Sequence, residues 1–233
     1  MLVRVTAFSF LILWVSSSCP AGDDADFRSL FNGRDLTGWS GNEKFWSVED
    51  GAITGRTTAE TPTKSNTFLI WTQGEVDDFV LKLKYRIADG NSGIQYRSAD
   101  LGNHVVSGHQ ADFEAGDTWS GAHYEERGRG TLARRGLKTR VGEDGKSVPI
   151  GTFGDTAELQ RAIDKKGWNE YEIIASGNRM THKINGVIMS EIIDDYGRKN
   201  GILALQLHQG PPMEVQFKDI RLKRLPLAGK KKA

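Results

Sequence analysis

Residues 78–87 read DFVLKLKYRI, and the strict alternation within them limits the fold more than any other feature of the chain. Phe79, Leu81, Leu83 and Tyr85 fall on one side of an extended backbone, and Lys82, Lys84 and Arg86 on the other, because successive strand side chains point to opposite faces. A helix would scatter both sets around its circumference. The segment predicts a strand with one face buried and one in water, as in an antiparallel sandwich. Further strands are predicted over 46–48 and 52–55 around the turn Glu49-Asp50-Gly51, and then over 67–71, 92–97, 170–176, 179–184, 187–191, 201–209 and 215–225. Gly, Asn and Asp punctuate these β-branched and aromatic runs. Asn185-Gly186 is the strongest hairpin signal, since both positions tolerate positive φ. One short helix is predicted over 155–165, with Asp155 as N-cap and Glu158 as capping-box partner. About a dozen strands and one helix give an all-β, two-sheet antiparallel jelly-roll sandwich over 27–225, with no internal boundary.

The 233 residues leave room for one large β domain or, less comfortably, two small ones. With 31 basic and 30 acidic residues spread along the chain, the net charge is +1, so no basic stripe favours nucleic acid. The lysines in the tail at 226–233 read as a solvated end. Residues 1–21 carry Arg4, an apolar run at 7–15 and then small residues, the pattern of a secretory signal peptide too short to span a bilayer. The mature protein is expected to be secreted or periplasmic, with cleavage near Ala21. Cys19 is the only cysteine, so no intramolecular disulfide can form. Lipid anchoring at Cys19 is the less favoured alternative, because Ser16-Ser17-Ser18 fits a lipoprotein signal poorly.

Residues 108–130, GHQADFEAGDTWSGAHYEERGRG, concentrate the polar chemistry. A strand here puts Gln110, Asp112 and Glu114 on one face, alternating with Ala111 and Phe113. Tyr124, Glu125, Glu126, Arg127 and Arg129 follow. Carboxylates on a strand face with guanidiniums nearby suit a polar substrate and not a packed core. His109 should point away from that face. Glu125 and Glu126 face oppositely, so at most one enters a cleft. Gln206 and His208 share a face opposite Leu205 and Leu207. Trp119, in a Gly-rich loop after the acidic strand, offers an aromatic face for stacking.

The order of motifs resembles one family. Leu30-Phe31-Asn32-Gly33-Arg34-Asp35-Leu36-Thr37-Gly38-Trp39 is similar to its opening signature. Trp46 to Gly51 and Gly90-Asn91-Ser92-Gly93-Ile94 with Arg97 follow, and then Gly108-His109-Gln110-Ala111-Asp112. Trp168-Asn169, Ile184-Asn185-Gly186, Gly201-Ile202-Leu203-Ala204-Leu205-Gln206-Leu207-His208 and the strand at 215–222 complete the series. On these residues the chain resembles the 3-keto-disaccharide hydrolase family, a concanavalin A-like sandwich whose concave sheet holds sugars. It departs at two positions: many relatives have Glu where Gln110 stands, and Gln where Asp112 stands. The stretch at 124–136 looks typical of a subgroup.

The resemblance implies an enzyme acting on 3-keto-glycosides. A ketone at C3 acidifies the hydrogen on C2; a base removes it, the enolate expels the glycosidic oxygen, and water adds later. Asp112 and Glu114 are candidate base and acid, about 6.5 Å apart by the strand rise, with Glu125 and His208 as further catalytic candidates. Arg97, Arg127, Gln110, Gln206, Tyr124 and Trp119 are candidate substrate contacts, and Arg97 is the one the resemblance supports. Arg134 and Arg135 read as surface charges. The metal requirement is unknown: no HExxH, CxxC or EF-hand spacing occurs, yet Asp112, Glu114 and His208 could hold a divalent cation. A carbohydrate is the expected partner, with no nucleic acid and no membrane span; the oligomeric state stays open. The alternatives are a non-catalytic carbohydrate-binding module and a conventional glucanase, the latter disfavoured because Gln110 cannot be a nucleophile.

Overall fold

Alternation at 79–87 becomes a strand whose Phe79, Leu81, Leu83 and Tyr85 are buried to 2% exposure or less. A computed structural model describes residues 26–227; the expected signal peptide, Cys19 and the tail lysines lie outside them. In chain order the described strands are β1 (Arg28–Ser29), β2 (Trp39–Ser40), β3 (Trp46–Glu49), β4 (Ala52–Thr57), β5 (Thr67–Trp71), β6 (Phe79–Ile87), β7 (Asn91–Asp100), β8 (Val106–Glu114) and β9 (His123–Glu126). They continue as β10 (Gly130–Ala133), β11 (Leu137–Val141), β12 (Ser147–Thr152), β13 (Asn169–Ser176), β14 (Arg179–Ile184), β15 (Val187–Asp194), β16 (Ile202–Leu207) and β17 (Met213–Arg224), with one helix, α1 (Thr156–Gln160).

These strands build a two-sheet sandwich of jelly-roll type. The larger sheet runs β12-β11-β15-β14-β13-β6-β17-β4-β3, with β1 on β17; the smaller runs β10-β9-β8-β7-β16-β5-β2. Pairing is antiparallel except for β11 with β15. The sheets meet through rings: Tyr85 of the larger sheet lies 4.0 Å from Phe113 of β8, which packs in turn on Phe217 at 5.9 Å. Phe79 packs edge-on against Tyr96 of β7 at 5.8 Å. The core side of β7 and β8 is thereby fixed, and their other side is free to carry polar groups.

Asn185 and Gly186 have φ of 50° and 79° and join β14 to β15 as a two-residue turn. The helix is shorter than expected. Asp155 caps it, accepting from Ala157 N and Glu158 N. The bonds Arg161 N to Glu158 O, Ala162 N to Leu159 O and Ile163 N to Gln160 O then tighten the chain to i→i−3 spacing. Strands β9 to β12 were not expected; the hairpin β9–β10 extends the edge of the smaller sheet beside β8. Among the described residues, no helix is long and apolar enough to cross a membrane.

Candidate functional site

Gly93 stands opposite Asp112, Gln95 opposite Gln110, and Gln110 opposite Tyr124. These pairings set one polar row across β7, β8 and β9 on the face away from the core. Gln206 of β16 joins it. Gln110, Asp112, Tyr124 and Gln206, with Asn66, Asn91, Glu114, Trp119, Glu126 and His208, line a cleft of about 370 Å³. The cleft thus gathers Gln110, Asp112, Glu114, Tyr124, Trp119, Gln206 and His208, all expected from sequence. It adds Asn66, Asn91 and Glu126.

Asp112 is 5% exposed. Burial pushes its carboxyl up to about 7, with Glu126 and Glu114 adding to the rise and the Gln110 hydrogen bond opposing it. Gln110 Nε2 donates to Asp112 Oδ1 at 2.5 Å. Glu126 is 8% exposed, and burial raises its carboxyl too, against the pull of Asn66, Arg127 and His208. Asn66 Nδ2 donates to its two oxygens at 3.3 and 3.4 Å. Burial and the charges of Glu126 and Asp112 raise the half-buried Tyr124 phenol. Two buried carboxyls that resist ionisation, in one cleft, can divide a base role and an acid role.

Glu114 sits at the rim and is held by its own loop: Oε1 accepts Thr118 N at 2.5 Å and Trp119 N at 2.9 Å. This makes it an anchor for Trp119 and corrects the expectation of an acid or base there. Arg135 was expected at the surface but is 2% exposed; it donates to Ser120 O and Asp117 O and fastens the same loop from below. The Arg134 guanidinium lies 4.8 Å from the Trp119 ring.

Three further expectations are corrected. Glu125 leaves the cleft, because on β9 only Tyr124 and Glu126 face it; Glu125 instead pairs with Arg129, which also holds Asp194 at 2.6 Å. Arg97 is fully buried. Strict alternation from Gly93 and Gln95 would carry it to the cleft, but β7 is bulged between Tyr96 and Ala99 and Arg97 takes φ of 47°. Its guanidinium turns to Asp77 O, Gly177 O and Asp78 Oδ1, each at 2.8 Å. Arg127 is exposed on the β9–β10 turn with φ of 52°, acting on Glu126 through charge alone.

His109 and His123, with His182, lie in the core behind the cleft. His123 Nε2 and His182 Nε2 meet the Tyr96 hydroxyl at 2.9 and 2.8 Å. Burial holds all three imidazoles neutral, His109 at about 4 and His182 at about 3. Asp112, Glu114 and His208 do not form a ligand set, and among the described residues no three His, Cys, Asp or Glu side chains stand where they could share a metal ion. Glu126 was legible only as a competitor of Glu125; Asn66 lay just ahead of an apolar strand with nothing in its neighbourhood to mark it.

Residues 26–223 match the model of a family described as the 3-keto-alpha-glucoside-1,2-lyase-like domain. The chain belongs to that family. Among the curated proteins none matches the chain. Among solved structures, two from Parabacteroides distasonis ATCC 8503 carry a provisional glycosyl hydrolase assignment. One is 18% identical with a TM-score of 0.56, covering 85% of this chain and 99% of its own. The other is 24% identical with a TM-score of 0.55, covering 86% and 94%. The carbohydrate-binding module CBM66 from Bacillus subtilis is 15% identical, with a TM-score of 0.53, covering 80% and 95%. At these identities the likeness is one of fold: the 3-keto-alpha-glucoside-1,2-lyase-like domain shares its sandwich with both hydrolase-assigned and sugar-binding proteins.

Proposed function

We propose that the protein cleaves 3-keto-glycosides by removing the proton at C2 and eliminating the glycosidic oxygen from C1. The observation that carries this reading is Asp112, a buried carboxyl near pKa 7 facing a polar cleft, since a general base works best when its pKa lies close to the working pH. Asp112 takes the C2 proton, and the C–H electron pair becomes an enolate on the C3 oxygen. As the enolate collapses, the C1–O bond breaks and the leaving oxygen takes a proton from Glu126, beside His208. In an α-linked 3-keto-glucoside the C2 hydrogen and the glycosidic oxygen lie on opposite faces of the ring. Base and acid must then reach opposite faces of the sugar ring, so the ring would stand between Asp112 of β8 and Glu126 of β9, neighbouring strands of one sheet. Trp119 offers a ring face for the sugar, and Asn66 and Asn91 offer amides for its hydroxyls. Water adding across the resulting enone would complete a net hydrolysis. The apolar run at 7–15 supports action outside the cytoplasm.

Double displacement at C1 is poorly supported. It needs an ionised carboxylate nucleophile and a second carboxyl about 5–5.5 Å away, whereas β8 presents Gln110, a Glu114 engaged by its loop and an Asp112 that burial keeps partly protonated near neutral pH.

The test compares a nitrophenyl α-glucoside with its 3-keto counterpart, with and without chelator. Cleavage of the keto form alone is expected. Equal cleavage of both would replace this reading with a conventional glycosidase, and tight binding without turnover would replace it with a sugar-binding module. Loss of cleavage on chelation would assign the ion a role.

A further inference from the structure

Gln110 was expected to contact sugar, yet its amide has no capacity left for one. An amide has two N–H donors and two carbonyl lone pairs. Gln110 Nε2 donates to Asp112 Oδ1 and reaches Gln206 Oε1 at 3.5 Å. Its Oε1 accepts from Gln206 Nε2 at 3.1 Å and from Gln95 Nε2. The side chain is 2% exposed. Gln95 is fixed in turn, its Oε1 accepting the Ser98 hydroxyl at 2.8 Å from within the β7 bulge. Asp112 dictates the direction of the whole row. An ionised carboxylate only accepts, so Gln110 must turn its amino group to it, which leaves its carbonyl for the amino group of Gln95, whose own carbonyl faces Ser98.

A second observation is independent of these bonds. A Cβ on Gly93 would meet Cγ and Cδ of Gln110 at 2.6 Å, although the backbone of Gly93 has no positive φ. Glycine at this point, across from Asp112, is what lets the Gln110 side chain lie flat over β7.

We propose that Ser98, Gln95 and Gln110 form a relay of aligned donors that holds Asp112 for proton abstraction, with Gln110 a positioning residue and not a sugar ligand. The proposal rests on the reading of Asp112 as the base. With Oδ1 occupied by the Gln110 N–H, Oδ2 is the oxygen that takes the C2 proton; Gln110 keeps its own protons throughout. The groups facing Asp112 from the neighbouring elements are Glu114 on β8, Tyr124 and Glu126 on β9 and Tyr171 on β13, with His208 acting through Glu126. All of them remain when Gln110 is replaced.

The experiment measures kcat/KM against pH on a 3-keto-α-glucoside for Gln110→Met, Gln95→Leu and Gly93→Ala, and titrates the Asp112 carboxyl carbon by NMR in the same proteins. The N–H donor favours the ionised base, so its loss moves the acid limb upward. The shift expected for Gln110→Met is about one pH unit, a ~10-fold loss of kcat/KM below the midpoint. Gly93→Ala should shift the limb in the same direction while removing no polar group, and Gln95→Leu by less. A raised KM with an unmoved midpoint in all three would make Gln110 a sugar ligand and overturn the relay. The NMR titration separates the two levels. A midpoint that rises in a protein inactive on keto-glucosides keeps the relay and sinks the proposed reaction; one that stays put in an active protein does the reverse.

Discussion

At the scale of single residues, Asp112 carries both chemistry and cost. Its carboxyl sits at about 7 when folded, against an ordinary value of 3.8. Between those values the folded protein holds a proton that the unfolded chain has released, so this residue lowers stability as pH rises, and fully so above about 7. Asp112→Asn is therefore expected to unfold at higher denaturant than wild type in mildly alkaline buffer, while activity falls by roughly 10²–10⁴-fold. Equal stability of the two proteins there would contradict the burial argument. Arg97 is the contrasting case. It joins β7 to Asp78 at the start of β6 and to Gly177 between β13 and β14, clamping one sheet to the other. Arg97→Met removes the guanidinium beside a buried carboxylate, and a loss of about 3–5 kcal/mol is expected in urea unfolding. Alternation made Gln110 and Asp112 legible as a pair on one face. It misled at Arg97, because a bulge is a one-residue departure from period two that no pattern in 91–100 announces.

At the scale of elements, the segment between β8 and β9 works as a braced arm. Glu114 accepts two of its backbone N–H groups and Arg135 donates to two of its carbonyls, so Trp119 is held at the cleft wall without being packed away. If the ring is a sugar platform, Trp119→Ala should raise KM by about tenfold, the equivalent of ~1.4 kcal/mol, with kcat little changed. A fall in kcat at constant KM would point instead to a role in the chemistry. Sequence placed Trp119 correctly in a loop beside the acidic strand. It could not reveal the brace, since Glu114 and Arg135 are distant in sequence and each alone reads as a solvated charge. Strands β9 to β12 escaped for a related reason: 123–152 is rich in charge and glycine, and its pairing is settled by contact with β8 and β15 rather than by local propensity.

At the scale of the whole molecule, the sandwich carries two polar layers back to back across the smaller sheet, the cleft on one side and the Tyr96–His123–His182 group with His109 on the other. The three imidazoles are held below their ordinary value of 6.5 by burial. The unfolded chain binds protons there that the folded protein refuses, so stability is complete above about 6.5 and drains away as pH falls toward 4, by up to ~1.4 kcal/mol per pH unit for each histidine. Asp112 and Glu126, both raised by burial, oppose this with at most one proton each against three for the histidines, leaving a net loss on acidification. Denaturant unfolding at neutral and at mildly acidic pH should show it; stability that is flat or rising would contradict the buried neutral cluster. The two-sheet architecture was legible because alternation, turn residues and motif order agreed over most of the chain.

Under the proposed reaction, cleavage begins with proton removal from C2, and the rate of cleavage of a 3-keto-α-glucoside carrying deuterium at C2 reports on that step. A primary isotope effect on kcat/KM in the wild-type protein, with cleavage falling by roughly 10²–10⁴-fold in Asp112→Asn, is the predicted result. Equal rates for the two isotopologues, with Asp112→Asn still active, would contradict it.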